Sequence, residues 1–317
     1  MKKTHDLTHP RKPRSILSFF LRMMCLFAVT FLGGCSEMVL FDPKGPVGET
    51  ERFVILTAFA LMLIVVIPVF IMAYWFSRKY RATNTKAPYD PKWSYSGKIE
   101  FVIWVIPAII VTCLGILTWN TTFRLDPYKP LDSAVKPITI EVVSLDWKWL
   151  FIYPEENIAV VSEVVFPADT PLNFRLTSDT VMTSFFIPQL GSQIYAMAGM
   201  TSRLHLLANE PGTYAGQNQQ FSGFGYANMT FKAIATSPEH FAAWVQEVKK
   251  SPKKLDPARY RELVKPTTGY PVTYFSSSTP DLFNSIIATY HDSSHEDSGA
   301  MDGRHGSMPN THSQQGD

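Results

Sequence analysis

Residues 138–153 read Ile-Thr-Ile-Glu-Val-Val-Ser-Leu-Asp-Trp-Lys-Trp-Leu-Phe-Ile-Tyr: two runs rich in β-branched and aromatic side chains, Ile138 to Val143 and Trp147 to Tyr153. Such side chains suit a pleated, half-buried surface, so both runs predict strands. Five further runs continue the pattern: Ala159 to Phe166, Leu172 to Leu176, Ser184 to Ile187, Arg203 to Ala208 and Met229 to Ala235, most of them separated by Pro, Gly, Asn or Asp. Short strands with a turn signal every roughly 8–12 residues predict a small β-sandwich or barrel. Just beyond them, Ser237-Pro238-Glu239 supplies an N-cap, a proline for the first helical position and a first-turn acid, and Phe241, Trp244, Val245 and Val248 follow at helical spacing. A helix of about 12 residues closes the domain. Lys249, Lys250, Lys253 and Lys254 after it read as a solvated charge run.

Upstream the composition changes. Phe53 to Phe76 and Phe101 to Phe123 carry no charge, and about 24 residues at roughly 1.5 Å each are enough to cross a hydrocarbon core of about 30 Å. Pro68, Pro107 and Gly115 inside these runs suit membrane helices packed against neighbours. Tyr74, Trp75, Trp93, Tyr95 and Trp119 sit near their ends, as interfacial aromatics do. From Ser77 to Lys98, Arg78, Lys79, Arg81, Lys86, Lys92 and Lys98 stand against one acid, Asp90, whereas the basic residues of Ser36 to Arg52 are only Lys44 and Arg52. By the positive-inside rule residues 77–100 are cytoplasmic, which places 35–52 and everything after Arg124 outside.

The start of the chain agrees with this topology. Lys2, Lys3, Arg11, Lys12, Arg14 and Arg22 precede a short apolar run, Met23 to Gly34, that ends in Leu32-Gly33-Gly34-Cys35. Residues 1–34 read as a signal peptide, and the junction resembles a bacterial lipobox, which would make Cys35 the lipidated first residue of the mature protein. At the other end, residues 251–290 form an extension, and 291–317 read as a disordered tail, rich in Ser, Gly and Asp, in which His291, His295, His305 and His312 lack fixed ligand spacing.

Whole-chain composition excludes several classes. A formal charge of +2 argues against an electrostatic nucleic-acid binder, and charged residues at only 18% point to lipid as part of the surroundings. The cysteines, Cys25, Cys35 and Cys113, all lie before Asn120, so the exported domain has neither disulfides nor thiolate ligands.

Together these features resemble subunit II of the haem–copper terminal oxidases. The local motifs that carry the likeness are Asp146-Trp-Lys-Trp-Leu-Phe-Ile-Tyr-Pro154, Ser178-Asp-Thr-Val-Met-Thr-Ser-Phe-Phe-Ile-Pro188 and Pro211-Gly-Thr-Tyr-Ala-Gly216. The resemblance implies a membrane-anchored fold: a two-helix transmembrane hairpin, then an all-β cupredoxin-like Greek-key sandwich over 124–250 with a C-terminal helix. It also implies a bacterial plasma-membrane location, a large haem- and copper-bearing partner, subunit I, and smaller membrane subunits.

In the cytochrome-c-oxidizing branch, the domain holds a dinuclear copper centre built from one histidine in an early loop and a Cys-x-Glu-x-Cys-x-x-x-His-x-x-Met run. The matching positions here are Thr183 for the first histidine, then Asn218, Gln220, Ser222 and Tyr226, with only Met229 retained. A lone thioether does not hold copper, and His205 reads as a strand surface residue. The chain is therefore expected to carry no cofactor, with Trp147 and Trp149 as core and interface aromatics. A frame without its ligands is similar to the quinol-oxidizing branch, the bo-type ubiquinol oxidases, as are Phe185 to Tyr195 and His240-Phe-Ala-Ala-Trp244. That branch implies a proton-pumping ubiquinol:oxygen oxidoreductase in which this chain has a structural and assembly role and no catalytic residue of its own. Glu100, opening the second membrane helix, has two readings: an acid at the mouth of a proton path, or a first-turn acid beside Lys98 favoured by the helix dipole. Two other functions stay open, a cytochrome c oxidase subunit with a divergent copper site and a free-standing lipoprotein binding module.

Overall fold

A computed structural model describes residues 38–88 and 90–291. The expected signal peptide, Cys35 and the tail histidines His295, His305 and His312 lie outside the described residues. Val39–Phe41 form a single 3-10 turn.

Helix α1 spans Pro46–Lys79, with proline in its first turn and Arg78 and Lys79 in its last. Helix α2 spans Gly97–Arg124 and packs against α1. Both run beyond the apolar stretches expected at 53–76 and 101–123, because the flanking polar residues continue the helix for a turn or two at each end. The connection is correspondingly shorter than 77–100, at residues 80–96. Both helices are apolar all round, and none of their hydropathic stretch is covered by the rest of the chain. An unbroken bare surface of Phe, Ile, Val and Trp of this length requires lipid or other helices as its solvent. Lys79 Nζ lies 5.0 Å from the Trp75 ring centre and the Arg78 guanidinium 5.2 Å from that of Tyr74, the arrangement of cations snorkelling at a membrane face.

The rest of the chain builds two packed sheets. Strands β1 (Ile138–Leu145), β2 (Lys148–Tyr153), β3 (Ile158–Val161), β5 (Leu172–Ser178), β8 (Ser202–Leu206) and β11 (Thr273–Phe275) form one, in the order β11-β3-β2-β1-β5-β8. Strands β4 (Glu163–Pro167), β6 (Thr183–Phe186), β7 (Ile194–Ala196), β9 (Gly212–Asn218) and β10 (Thr230–Thr236) form the other, in the order β4-β10-β9-β6-β7. Two pairs, β1 with β5 and β4 with β10, are parallel; the remaining neighbours are antiparallel. Between the sheets the aromatics interlock: the Phe185 and Phe231 rings stack with centres 4.9 Å apart, and Trp149 stands edge-on to Phe185 at 5.4 Å.

Three details depart from the sequence reading. The run Ala159 to Phe166 is not one strand: Ser162, at φ 63°, turns the chain from β3 in one sheet to β4 in the other. Tyr153 bridges the sheets there, its buried hydroxyl donating to Val165 O and accepting from Val165 N, both at 2.9 Å. Trp147 is not a strand residue but the second residue of the tight turn Asp146-Trp147, at φ 62°. Finally, the extension over 251–290, for which the sequence suggests no elements, is built of two short helices and a strand. After helix α3 (Pro238–Lys249), capped by Ser237 as expected, come α4 (Pro257–Leu263), strand β11 and a helix over 282–291. Leu263, Phe275, Phe283 and Ile286 of these elements, with Leu255 just before α4, cover the outer face of the first sheet through Val143, Leu145, Leu150 and Ile152. That is why β1 to β3 are apolar on both faces.

The N-terminal end of α1 is stitched to the sandwich. Lys44 N donates to Gln189 O at 2.7 Å, Gly48 N to Leu190 O at 3.2 Å, and Asn209 N to Lys44 O at 2.8 Å. A Cβ at Gly45 would stand 2.1 Å from Leu207 O, so this approach admits only glycine.

Candidate functional site

Three connections meet at one end of the sandwich: the β1–β2 turn, the β5–β6 loop and the β9–β10 loop. Hydrogen bonds join them. Thr183 Oγ1 donates to Ser144 Oγ at 2.7 Å, both residues being fully enclosed. Asn218 Oδ1 accepts from Ser184 N and Gln220 N, each at 2.9 Å, while its Nδ2 donates to Gln220 O at 2.8 Å and Ser222 Oγ at 3.1 Å. Ser184 Oγ in turn accepts from Gln219 N at 2.8 Å. The side chain of Asn218 thus folds the β9–β10 loop back on itself and fastens it to β6.

Trp147 closes the outer side. Its Nε1 donates to Ser222 O at 2.9 Å, and its ring packs on residues 223–225, where a Cβ at Gly225 would come within 2.3 Å of the indole. Phe224 stands edge-on to it at 6.4 Å, and Phe224 and Phe221 both project into solvent, 94% and 74% exposed. Tyr226 lies in a 3-10 turn with its ring 5.8 Å from Phe221, and Met229 is buried in the core between the sheets. Of the six positions matched to copper ligands, Asn218, the Gln220 backbone and Ser222 share one set of hydrogen bonds and Thr183 is bonded separately to Ser144, whereas Tyr226 and Met229 point to other tasks.

These residues do not fit a dinuclear copper centre. Hydroxyls and amides replace the thiolates and imidazoles that copper needs, the Thr183 hydroxyl is bonded to Ser144 and the Asn218 amide to Ser222 and to backbone, and the remaining thioether is enclosed by apolar side chains. Among the described residues no group of three or more His, Cys, Asp or Glu is placed to hold a metal.

Sequence reasoning missed two ionisable side chains beside this end. Lys148 is 1% exposed and donates to Lys265 O at 2.8 Å and Asp146 O at 3.3 Å, with the Tyr270 ring 5.4 Å away. Asp179, in the β5–β6 loop, is pushed up to about 6 by burial, and the charge of Asp146 adds to the effect. Their signal was the Lys between two tryptophans and the Asp beside Ser178, neither of which reveals burial. Glu100 lies apart, exposed in the first turn of α2, its backbone N donating to Ser96 O at 3.0 Å. His205 is half-buried rather than a plain surface residue, because its Nδ1 lies 2.9 Å from Pro127 O and ties β8 to the linker after α2.

Residues 150–235 match the family model described as cytochrome c oxidase subunit II, periplasmic domain, and residues 249–293 match the COX aromatic rich motif. The second match covers the segment that caps the first sheet. A Pseudomonas aeruginosa protein named cytochrome bo(3) ubiquinol oxidase subunit 2 is 56% identical over 286 residues, 90% of this chain and 86% of that one. The Pseudomonas putida protein of the same name is 55% identical over 86% of this chain and 88% of its own length, and the Acetobacter aceti ubiquinol oxidase subunit 2 is 48% identical over 87% and 90%. Likeness of this extent over both the hairpin and the cupredoxin-like sandwich decides the assignment: the chain belongs to the family of subunit 2 of the cytochrome bo(3) ubiquinol oxidases.

Proposed function

We propose that this chain is the non-redox second subunit of a proton-translocating ubiquinol:oxygen oxidoreductase and that its exported domain works without copper. The observation that carries this reading is the pair of hydrogen-bonded contacts, Thr183–Ser144 and Asn218–Ser222, at the positions matched to copper ligands. A membrane quinol delivers electrons from within the bilayer, so no relay through the exported domain is needed. The domain then serves to hold the hairpin and dock the haem- and copper-bearing large subunit, with smaller membrane subunits alongside.

The same reading includes a lipidated Cys35 after removal of 1–34, a cytoplasmic connection between α1 and α2, and Glu100 as a proton-loading acid at the inner face. Support for the topology comes from the basic residues of that connection and from the periplasmic-domain family match. The cytochrome c oxidase alternative draws on that same match but requires thiolates absent beyond Cys113.

The test is oxygen uptake by the detergent-solubilised complex isolated through this chain, fed with ubiquinol and with reduced cytochrome c in parallel, and metal analysis of the chain itself. Uptake with ubiquinol only, and no stoichiometric copper in the chain, is expected. Uptake with cytochrome c overturns the reading, and absence of haem protein favours a free-standing lipoprotein.

A further inference from the structure

A cavity of about 410 Å³ opens where the outer ends of α1 and α2 meet the sandwich, within the roughly 300–1,000 Å³ of small-molecule sites. Its lining includes Thr50 from α1, Arg124 at the end of α2, Asp126, Lys129 and Asp132 from the linker, and His205 from β8. Its height relative to the bilayer follows from the helices. Arg124 directly follows the apolar run ending at Phe123, and Thr50 precedes the run beginning at Phe53 by three residues, about 4.5 Å along the axis. The cavity therefore sits at the level of outer-leaflet headgroups.

Its charges are mixed and not paired with one another. Two cations and two carboxylates line it, yet no ion pair among the described residues joins Arg124 or Lys129 to Asp126 or Asp132. Asp126 Oδ1 accepts from Tyr128 N at 3.0 Å, which leaves Asp132 as the freer acid. Pro127 O can only accept, so His205 Nδ1 donates to it, and Nε2 is the ring nitrogen left for a ligand. Opposite charges held in one cleft without neutralising each other match a ligand that carries both signs.

We propose that this cavity binds the headgroup of a zwitterionic aminophospholipid from the outer leaflet, with the phosphate on Arg124 and Lys129 and the ammonium on Asp132. Charge-assisted contacts to phosphate are the strong ones, and the adjacent bare helices give the acyl chains an apolar surface to follow. Such a lipid would brace the hairpin against the sandwich at the point where Lys44 to Gly48 already stitch them. The site rests on the reading that α1 and α2 span the bilayer.

The test places the full chain, alone and in its assembled complex, in nanodiscs of equal parts phosphatidylethanolamine and phosphatidylglycerol, and counts retained lipid by native mass spectrometry after transfer to detergent. One phosphatidylethanolamine per chain is expected, and the double variant Arg124→Gln/Lys129→Gln should lower its retention about tenfold. Asp132→Asn should keep phospholipid bound but abolish the preference for phosphatidylethanolamine. Equal retention by parent and double variant overturns the proposal, as does lipid on the isolated chain that is excluded from the complex, which would assign the cleft to a protein interface. Inorganic phosphate that binds with the same dependence on Arg124 and Lys129, without any retained phospholipid, overturns it in favour of a free anion. Carbonate extraction of native membranes is run beside it: release of the chain defeats the spanning reading itself, whereas a carbonate-resistant chain without bound lipid defeats only the site.

Discussion

The indole Nε1 of Trp147 donates to the carbonyl oxygen of Ser222 at 2.9 Å, so the turn between the first two strands is latched to the β9–β10 loop. Trp147→Phe keeps a ring over Gly225 but loses this bond and should cost about 1 kcal/mol. Gly225→Ala places a methyl within 2.3 Å of the indole and should cost more. Thermal unfolding of the detergent-purified chain checks the order: Gly225→Ala below Trp147→Phe below parent.

If the frame itself is intact, ligands can be put back into it. The combined substitution Thr183→His, Asn218→Cys, Gln220→Glu, Ser222→Cys and Tyr226→His, with Met229 kept, restores soft thiolates and imidazoles at the matched positions. Stoichiometric copper with thiolate-to-copper charge-transfer absorption is expected in this variant and absent from the parent. Failure to bind copper would show that the loss of the Asn218 hydrogen bonds has collapsed the loop.

Burial pushes Asp179 up to about 6 from an ordinary 3.8, so its ionised form is disfavoured in the fold. The sign follows from proton counting. Below about pH 3.8 both folded and unfolded chains hold the proton and no penalty exists; between there and about 6 the unfolded chain releases it first, and stability falls as pH rises. Asp179→Asn should therefore stabilise the chain at neutral pH, on the order of 1 kcal/mol given partial solvent access, and leave it unchanged near pH 3. Unfolding midpoints at the two pH values decide this.

Arg175 Nη1 meets Glu141 Oε1 at 2.7 Å, and its guanidinium lies 4.9 Å from the Phe283 ring centre. One side chain thus satisfies a largely enclosed carboxylate and holds the C-terminal helix. Burial raises the Glu141 carboxyl, and Arg175 counters it. Arg175→Ala should destabilise the chain by about 1–2 kcal/mol at pH 7, a value below that of a fully buried pair because Arg175 is partly exposed. The loss should shrink as pH falls and Glu141 takes up a proton, and Glu141→Gln in the same chain should recover part of it. Limited proteolysis after residue 250 provides the second readout.

Glu100→Gln should slow turnover of the assembled oxidase without loss of assembly, if the acid loads protons at the inner face. Steady-state oxygen uptake and proton release by reconstituted complexes measure this. Unchanged rates and proton yield leave Glu100 as a first-turn helix acid.

How much could be read beforehand varied with the range of the interactions concerned. Apolar length and charge asymmetry announced α1 and α2, and Ser237-Pro238-Glu239 announced α3, because a bilayer and a helix cap each act over a few adjacent residues. The strand cores were legible from side-chain type, but the sheet change at Ser162 was not, since a left-handed serine leaves no mark in a run of valines. β7, β9 and β11 escaped notice as well: Gly212 to Asn218 holds two glycines and three polar residues, and it is a strand only because β10 and β6 flank it.

The sequence by itself determined the hairpin, the all-β exported domain and the absence of thiolates after Cys113, since each depends on composition or on local order along the chain. Tertiary structure alone decided that residues 251–291 cap the first sheet, that Asn218 and Trp147 lock the β9–β10 loop, and that Arg124, Lys129, Asp132 and His205 border one cavity. Those relationships join residues up to 110 or more positions apart, as Lys148 and Lys265 are at 117. Only the folded chain brings such partners within the few ångströms over which hydrogen bonds and charges act.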